Sequence, residues 1–201
     1  MKLWFRLIFY ILTLCWRPRL SPPDDASELA FRVWPTDLDT SLHMNNGRYL
    51  TIMDLGRLDL MVRSGLWRAV LRHRWTPIAN AVHIRFRREL GPFQKFTLQS
   101  ALHSWSAAIV VMEQRFIFAS GTRRGEIAAS ALFLGGLYDR QGKSFVPIER
   151  LMSELGIKAE SPEPSAEVKA FLEANEELRK ADCVRTGAAR PLSPPAGRGP
   201  G

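Results

Sequence analysis

Cysteine is nearly absent. The 201 residues hold two, Cys15 and Cys183, at opposite ends of the chain. A disulfide scaffold or a thiolate metal cluster needs more, and neither is expected. Histidine is scarce, with four residues, and no zinc-type spacing occurs, so no metal and no cofactor is expected. No serine sits in a nucleophile elbow, and no glycine loop has the phosphate-binding pattern. No apolar run reaches the roughly 20 residues that cross a bilayer. Acid is also in deficit: 28 Lys and Arg against 20 Asp and Glu give a net charge of +8. That balance suits phosphate-bearing ligands, acidic carrier proteins or anionic membranes; the plain abundance of arginine is the alternative. Without a zinc finger, an RNA-binding signature or a helix-turn-helix, nucleic acid is not an expected partner.

What is present is enough apolar residue, 46%, for one domain of ordinary size with tails. Residues 3–16 are mostly apolar, interrupted by Arg6 and followed by Arg17 and Arg19. No small-residue cleavage site comes after them, so a removable signal peptide is not expected. Two readings of this run stand: a helix lying at a membrane interface with Trp and Arg at its edges, or a helix capping the domain or a subunit contact. Pro22 and Pro23 mark a linker. Residues 28–35 read as a first strand, with Leu29, Phe31 and Val33 on one face. Residues 48–64 read as a helix without proline, apolar on so much of its circumference that it must be buried on several sides. Gly65 is its stop, and 66–73 is a further short helix. After Pro77 the period becomes two: Val82, Ile84 and Phe86 alternate with His83, Arg85 and Arg87, as in a strand with one wet face. Three more strands come at 95–102, 108–119 and 126–138, the last carrying Ala128, Ala129 and Ala131 where something packs closely. One strand, one buried helix and a four-stranded antiparallel meander make an α+β domain over residues 28–150, with the helix wrapped by a curled sheet. Residues 1–20 are the apolar segment, 151–185 a helical extension whose 166–180 stretch reads as an exposed acidic helix, and 186–201 a disordered tail.

The densest chemistry lies at 37–49, where Asp37, Asp39, Ser41, His43, Asn45, Asn46 and Gly47 crowd together just before the long helix. A helix N-terminus offers backbone N–H groups and a dipole that polarise a carbonyl. Asp39 can attack a carbonyl or deprotonate water; the amide of Asn46 or Gly47 can hold an oxyanion. An Asp or Asn before a helix is also commonly a cap, and Asp37 and Asn45 carry that reading too. Tyr49 reads as core. Arg85, Arg87 and Arg88, with Arg72 and Arg74 upstream, can meet phosphates, or form a solvated strand face.

The run Asp39-x-Ser41-x-His43-Met-Asn45-Asn46-x-x-Tyr49 resembles the hotdog-fold thioesterases, in particular the acyl-carrier-protein thioesterases and 4-hydroxybenzoyl-CoA thioesterase-like proteins. Phe86-Arg87-Arg88-Glu89-Leu90-Gly91 is similar to a second segment of those enzymes. The whole chain resembles proteins of the thioesterase superfamily member six type. The resemblance implies an antiparallel sheet around one long central helix, a homodimer or higher homo-oligomer, and hydrolysis of an acyl-CoA or acyl-carrier-protein thioester. By position it implies Asp39, His43 and Glu89 as catalytic residues. Ser41, Asn45, Asn46, Gly47, Arg85 and Arg87 are the candidate substrate contacts. Ser41 stands where the acyl-carrier-protein enzymes have Asn, and Leu90 where they have Cys, which excludes a Cys-dependent mechanism. The competing reading is a non-catalytic hotdog that binds a fatty acyl or lipid group at a membrane. The expected location is cytoplasmic, at the inner face of a membrane through residues 1–20.

Overall fold

The computed structural model describes residues 3–157 and 160–186. The tail expected over 186–201 lies, from 187 on, outside the described residues, as do the side chains of Cys15 and Cys183. In chain order the elements are α1 (Leu3–Thr13), β1 (Ser27–Arg32), α2 (Asn46–Arg63), α3 (Leu66–His73), β2 (Trp75–Phe86), β3 (Lys95–Ser106), β4 (Ile109–Phe118), β5 (Ile127–Asp139), the short β6 (Ser144–Phe145), α4 (Ile148–Leu155) and α5 (Ala166–Thr186). The sheet order is β1-β3-β4-β5-β2, with β6 beside β5. β1 runs antiparallel to β3, Ser27 opposite Ser100 and Arg32 opposite Lys95.

The expected four-stranded meander holds only for β3, β4 and β5. β2 lies next to β5 at the sheet edge, not next to β3. The link 87–94 is too long for a tight hairpin, and the Met44 N–H bonds to the Leu90 carbonyl inside it (2.9 Å). An edge position also admits Pro77, which has no N–H to give a ladder. The face of β2 expected to be buried is covered only in part: Ile84 packs on the core, but Val82 and Phe86 are exposed.

The chain divides into two compact units. The first comprises the described residues up to Trp67, Ile84–Ala101 and Glu113–Ala131. Its core gathers Ile52 and Met53 of α2 with Phe96, Leu98, Phe116 and the alanines 128, 129 and 131. The small side chains of β5 thus let the helix approach, as their sequence pattern predicts. The approach is close at Gly56, where a Cβ would stand 2.3 Å from Ser100 Oγ and 2.7 Å from a Leu98 methyl. Gln114, fully buried, donates to Ser100 Oγ (2.8 Å) and to the Met53 carbonyl (3.0 Å) and accepts from Arg57 (2.8 Å), so its amide is satisfied. Asp59, also buried in α2, accepts from Ser27 Oγ at 2.6 Å and from Arg63 at 3.0 Å. Gly65, at φ +87°, ends the run as expected, in a conformation that glycine adopts without a Cβ penalty.

α1 packs on the same unit by one face: buried Tyr10, with Leu7 and Leu14, meets Leu29, Leu55 and Leu58. Trp4, Phe5, Ile8, Phe9 and Leu12 on the rest of the helix are exposed. Arg6 does not merely interrupt the apolar run; it is buried. Among the described residues no helix is long and apolar enough to cross a membrane.

The second unit comprises Arg68–His83, Leu102–Met112 and the described residues from Leu132 onward. Its core joins Ile109, Val111 and Leu134 to Val168 of α5, with Phe171 and Leu172 alongside. The helix is exposed over most of 166–180, as expected, and the expectation missed only the stripe by which it packs. Val168, Phe171 and Leu172 recur at helical spacing and make a narrow apolar stripe, and acidic composition hid it.

Candidate active site

The segment before α2 is folded by its own polar groups. The Asp39 N–H donates to the His43 carbonyl (2.9 Å), the Leu42 N–H to the Asp39 carbonyl (3.2 Å), and Leu38 and Met44 form a bridge. Leu42 takes a positive φ of 60° at the tip. Inside this turn Asp39 Oδ1 accepts from the Ser41 N–H at 2.9 Å and the His43 N–H at 3.3 Å, the local closure that Asp provides in turns. Asp39 Oδ2 has no hydrogen bond among the described residues. Ser41 itself is exposed at the tip, and its backbone rather than its hydroxyl is used.

Asp37 is a buried anchor. Its Oδ2 accepts from the Trp34 N–H (2.9 Å) and from Arg6 of α1, and its carbonyl accepts from the Asn45 N–H (2.8 Å). The turn is therefore fixed at its start by Asp37 and at its end by the helix cap. Asn45 is that cap: its Oδ1 accepts from the Gly47 N–H at 2.9 Å. This removes Gly47 from the candidate oxyanion donors, because its amide is already engaged. The Asn46 amide, first of α2, has no acceptor among the described residues and sits where the helix dipole is positive.

β2 supplies the opposite wall. The Arg87 and Arg88 amides both donate to the Ala128 carbonyl, at 2.8 and 2.9 Å. Two residues facing one partner is a β-bulge, which ends the pairing and re-aims the residues after it. Glu89 is thereby turned to His43, with 2.9 Å between His43 Nε2 and Glu89 Oε2. The expected alternative, a pair of Glu89 with Arg87 or Arg88, does not form. Leu90 is fully buried, contributing packing where the similar enzymes carry a thiol.

A depression of about 330 Å³ results, lined by Asp39, His43, Asn46, Tyr49, Phe86 and Glu89, with Arg87 and Arg88 at its border. The structure thus brings together Asp39, His43, Asn46, Glu89 and Arg87. Ser41, Asn45, Gly47 and Arg85 do not line it. Arg72 is paired with Glu154 at 3.3 Å. Tyr49 is both core and wall: its ring stands 5.0 Å from Phe86 and 4.8 Å from Phe116. Burial pushes its hydroxyl up to about 12, against a smaller lowering by a backbone hydrogen bond from Leu90. Sequence reasoning missed Phe86 as a site wall, because alternation assigned it to the core, and the bulge at Arg87 and Arg88 leaves no trace in the period.

Comparison with known proteins gives the fold and the family. Protein THEM6 of Danio rerio is 37% identical over 89 residues, which are 44% of this chain and 44% of the relative. Protein THEM6 of Drosophila melanogaster is 28% identical over 142 residues, 69% of each. The first of these alignments spans less than half of the relative's length. The probable thioesterase YbaW of Escherichia coli superposes with a TM-score of 0.59 at 22% identity, covering 64% of this chain and 95% of that one. The expected α+β hotdog fold is therefore the fold of this protein. A family model described as the thioesterase-like superfamily matches residues 33–172. The match takes in more than half of the sequence, both walls of the depression included, and the chain belongs to the thioesterase-like superfamily.

Proposed function

We propose that the protein is an acyl thioesterase that hydrolyses an acyl-CoA or acyl-carrier-protein thioester in the depression at the start of α2. One observation carries the reading: a carboxylate with an unengaged oxygen, an unengaged helix N-terminal amide and a His–Glu pair converge on one cavity. Asp39 Oδ1 is tied to the loop amides, which fixes the side chain and leaves Oδ2 as the reacting atom, either attacking the thioester carbonyl or taking a proton from water. The Asn46 amide donates to the oxygen that gains charge; one such donor is worth about 2.7–4 kcal/mol in acyl transfer. His43 and Glu89 hold the hydrolytic water on the opposite wall. Arg87 and Arg88 meet the phosphates of coenzyme A or of a carrier-bound prosthetic group.

The working unit is a homodimer or higher homo-oligomer, in which the exposed Val82 and Phe86 of β2 are covered. The exposed face of α1 rests on the inner, anionic surface of a membrane, favoured by the net charge of +8. The test of the activity is a chain-length series of acyl-CoA substrates, with thiol release followed by a chromogenic reagent. Turnover of at least one substrate supports the reading. No release from any CoA or carrier-bound thioester overturns it and leaves acyl binding without catalysis.

A further inference from the structure

α1 and β1 enclose a second cavity, of about 490 Å³, that shares no lining residue with the depression at Asp39. Its size falls within the roughly 300–1,000 Å³ of small-molecule pockets. The wall is apolar: Phe9 and Trp34 are exposed and Phe31 is half-buried, with Tyr10, Leu29, Leu55 and Phe96 buried behind them. The rim is cationic. Arg32 and Lys95, both exposed, stand directly opposite each other in the β1–β3 register. Neither has an ion-pair partner among the described residues. Like charges placed opposite each other on neighbouring strands repel. Arg17 joins the lining with its guanidinium 5.7 Å from the Tyr10 ring centre and its buried Nε without an acceptor. Phe9 belongs both to this cavity and to the exposed apolar face of α1, so the cavity opens beside the surface a lipid layer would touch.

We propose that this cavity is a binding site for a single-chain amphiphile with an anionic head: the alkyl chain lies along Phe9, Phe31, Ala30 and Trp34, and the head sits between Arg32 and Lys95. Carboxylate and phosphate heads share this chemistry. The site is separate from the thioester site and does not depend on the activity assigned to it.

The full-length protein is titrated calorimetrically with palmitate, hexadecyl phosphate and uncharged hexadecanol, each below its self-association limit. One palmitate or one hexadecyl phosphate per chain is expected, the tighter of the two naming the head group, with hexadecanol weaker. Arg32→Glu combined with Lys95→Glu, both on the surface, weakens the anionic ligands by about tenfold or more, the loss of charge-assisted contacts, and leaves hexadecanol unchanged. Ala30→Trp, at an exposed lining position, weakens all three. Asp39→Asn changes none. Absence of saturable binding to the folded wild type overturns the proposal, as does palmitate affinity that survives the charge-reversed pair and Ala30→Trp but falls with Asp39→Asn.

Discussion

The guanidinium of Arg6 lies directly on the carboxylate of Asp37, and both side chains are buried. The same guanidinium donates to the Arg32 carbonyl at 3.0 Å and stands 5.7 Å from the Phe31 ring centre. Asp37 in turn holds the Asn45 amide through its carbonyl. One ion pair thus joins the N-terminal helix to the turn that carries Asp39.

Arg6→Leu leaves the buried Asp37 without its hydrogen-bonded counter-charge, with only the half-buried Arg48 3.9 Å away. Breaking such a pair on one side costs about 3–5 kcal/mol. Urea unfolding is expected to show a loss of that order. Asp37→Asn placed on the Arg6→Leu background recovers part of it, since the amide can stay hydrogen-bonded without a charge. Equal stability of wild type and Arg6→Leu contradicts the anchoring role.

The His43–Glu89 pair makes the opposite forecast. The Glu89 side chain is 70% exposed, and ion pairs at the surface contribute about 0–1 kcal/mol. Glu89→Gln should leave the melting temperature near that of wild type and lower kcat by about 10²–10⁴-fold, the span of a positioned acid–base group. Undiminished turnover removes Glu89 from the mechanism.

At Gly56 α2 lies close against β3. Gly56→Ala puts a methyl against Ser100 Oγ and Leu98. Such overpacking costs about 1–3 kcal/mol, outweighing the roughly 0.5–1 kcal/mol that alanine gains over glycine within a helix. Chemical denaturation should show a net destabilised variant; a stabilised one shows that the helix can shift away from β3.

Tyr10 and Tyr49 titrate late. Desolvation is the main cause for each, raising Tyr49 to about 12 and raising Tyr10 well above the usual phenol value, with the Asp59 charge adding to the second. A hydroxyl whose folded value exceeds its unfolded value of about 10 stabilises the fold fully below pH 10. That contribution is lost as pH rises from there through the folded value. Absorbance at the phenolate band should rise at higher pH in the native protein than in denaturant; superimposable titrations contradict the burial of both rings.

Much of the first unit could be read from residues. The long apolar helix, its Gly65 stop and the β3 and β5 patterns come from period and turn chemistry, and the alanines of β5 foretold a close approach. What escaped depends on pairing at long range. Nothing in the period of 82–87 says that β2 pairs with β5, or that a bulge at Arg87 and Arg88 swings Glu89 to His43. The Asn45 side chain and the Gly47 amide could each be named in advance, but not that one would consume the other. A single Arg within an apolar run signals a special position without naming Asp37 as its partner. Val168, Phe171 and Leu172 were outvoted by the charges around them.

Asp39 is the reacting carboxylate of the proposed mechanism, and Asp39→Asn tests that role most directly. Asparagine keeps an oxygen to accept from the Ser41 and His43 amides, so the turn stays closed while the nucleophile or base is lost. With the best acyl-CoA of the chain-length series, kcat is expected to fall by about 10²–10⁴-fold or more at unchanged melting temperature. An Asp39→Asn enzyme that turns over at the wild-type rate contradicts the mechanism outright.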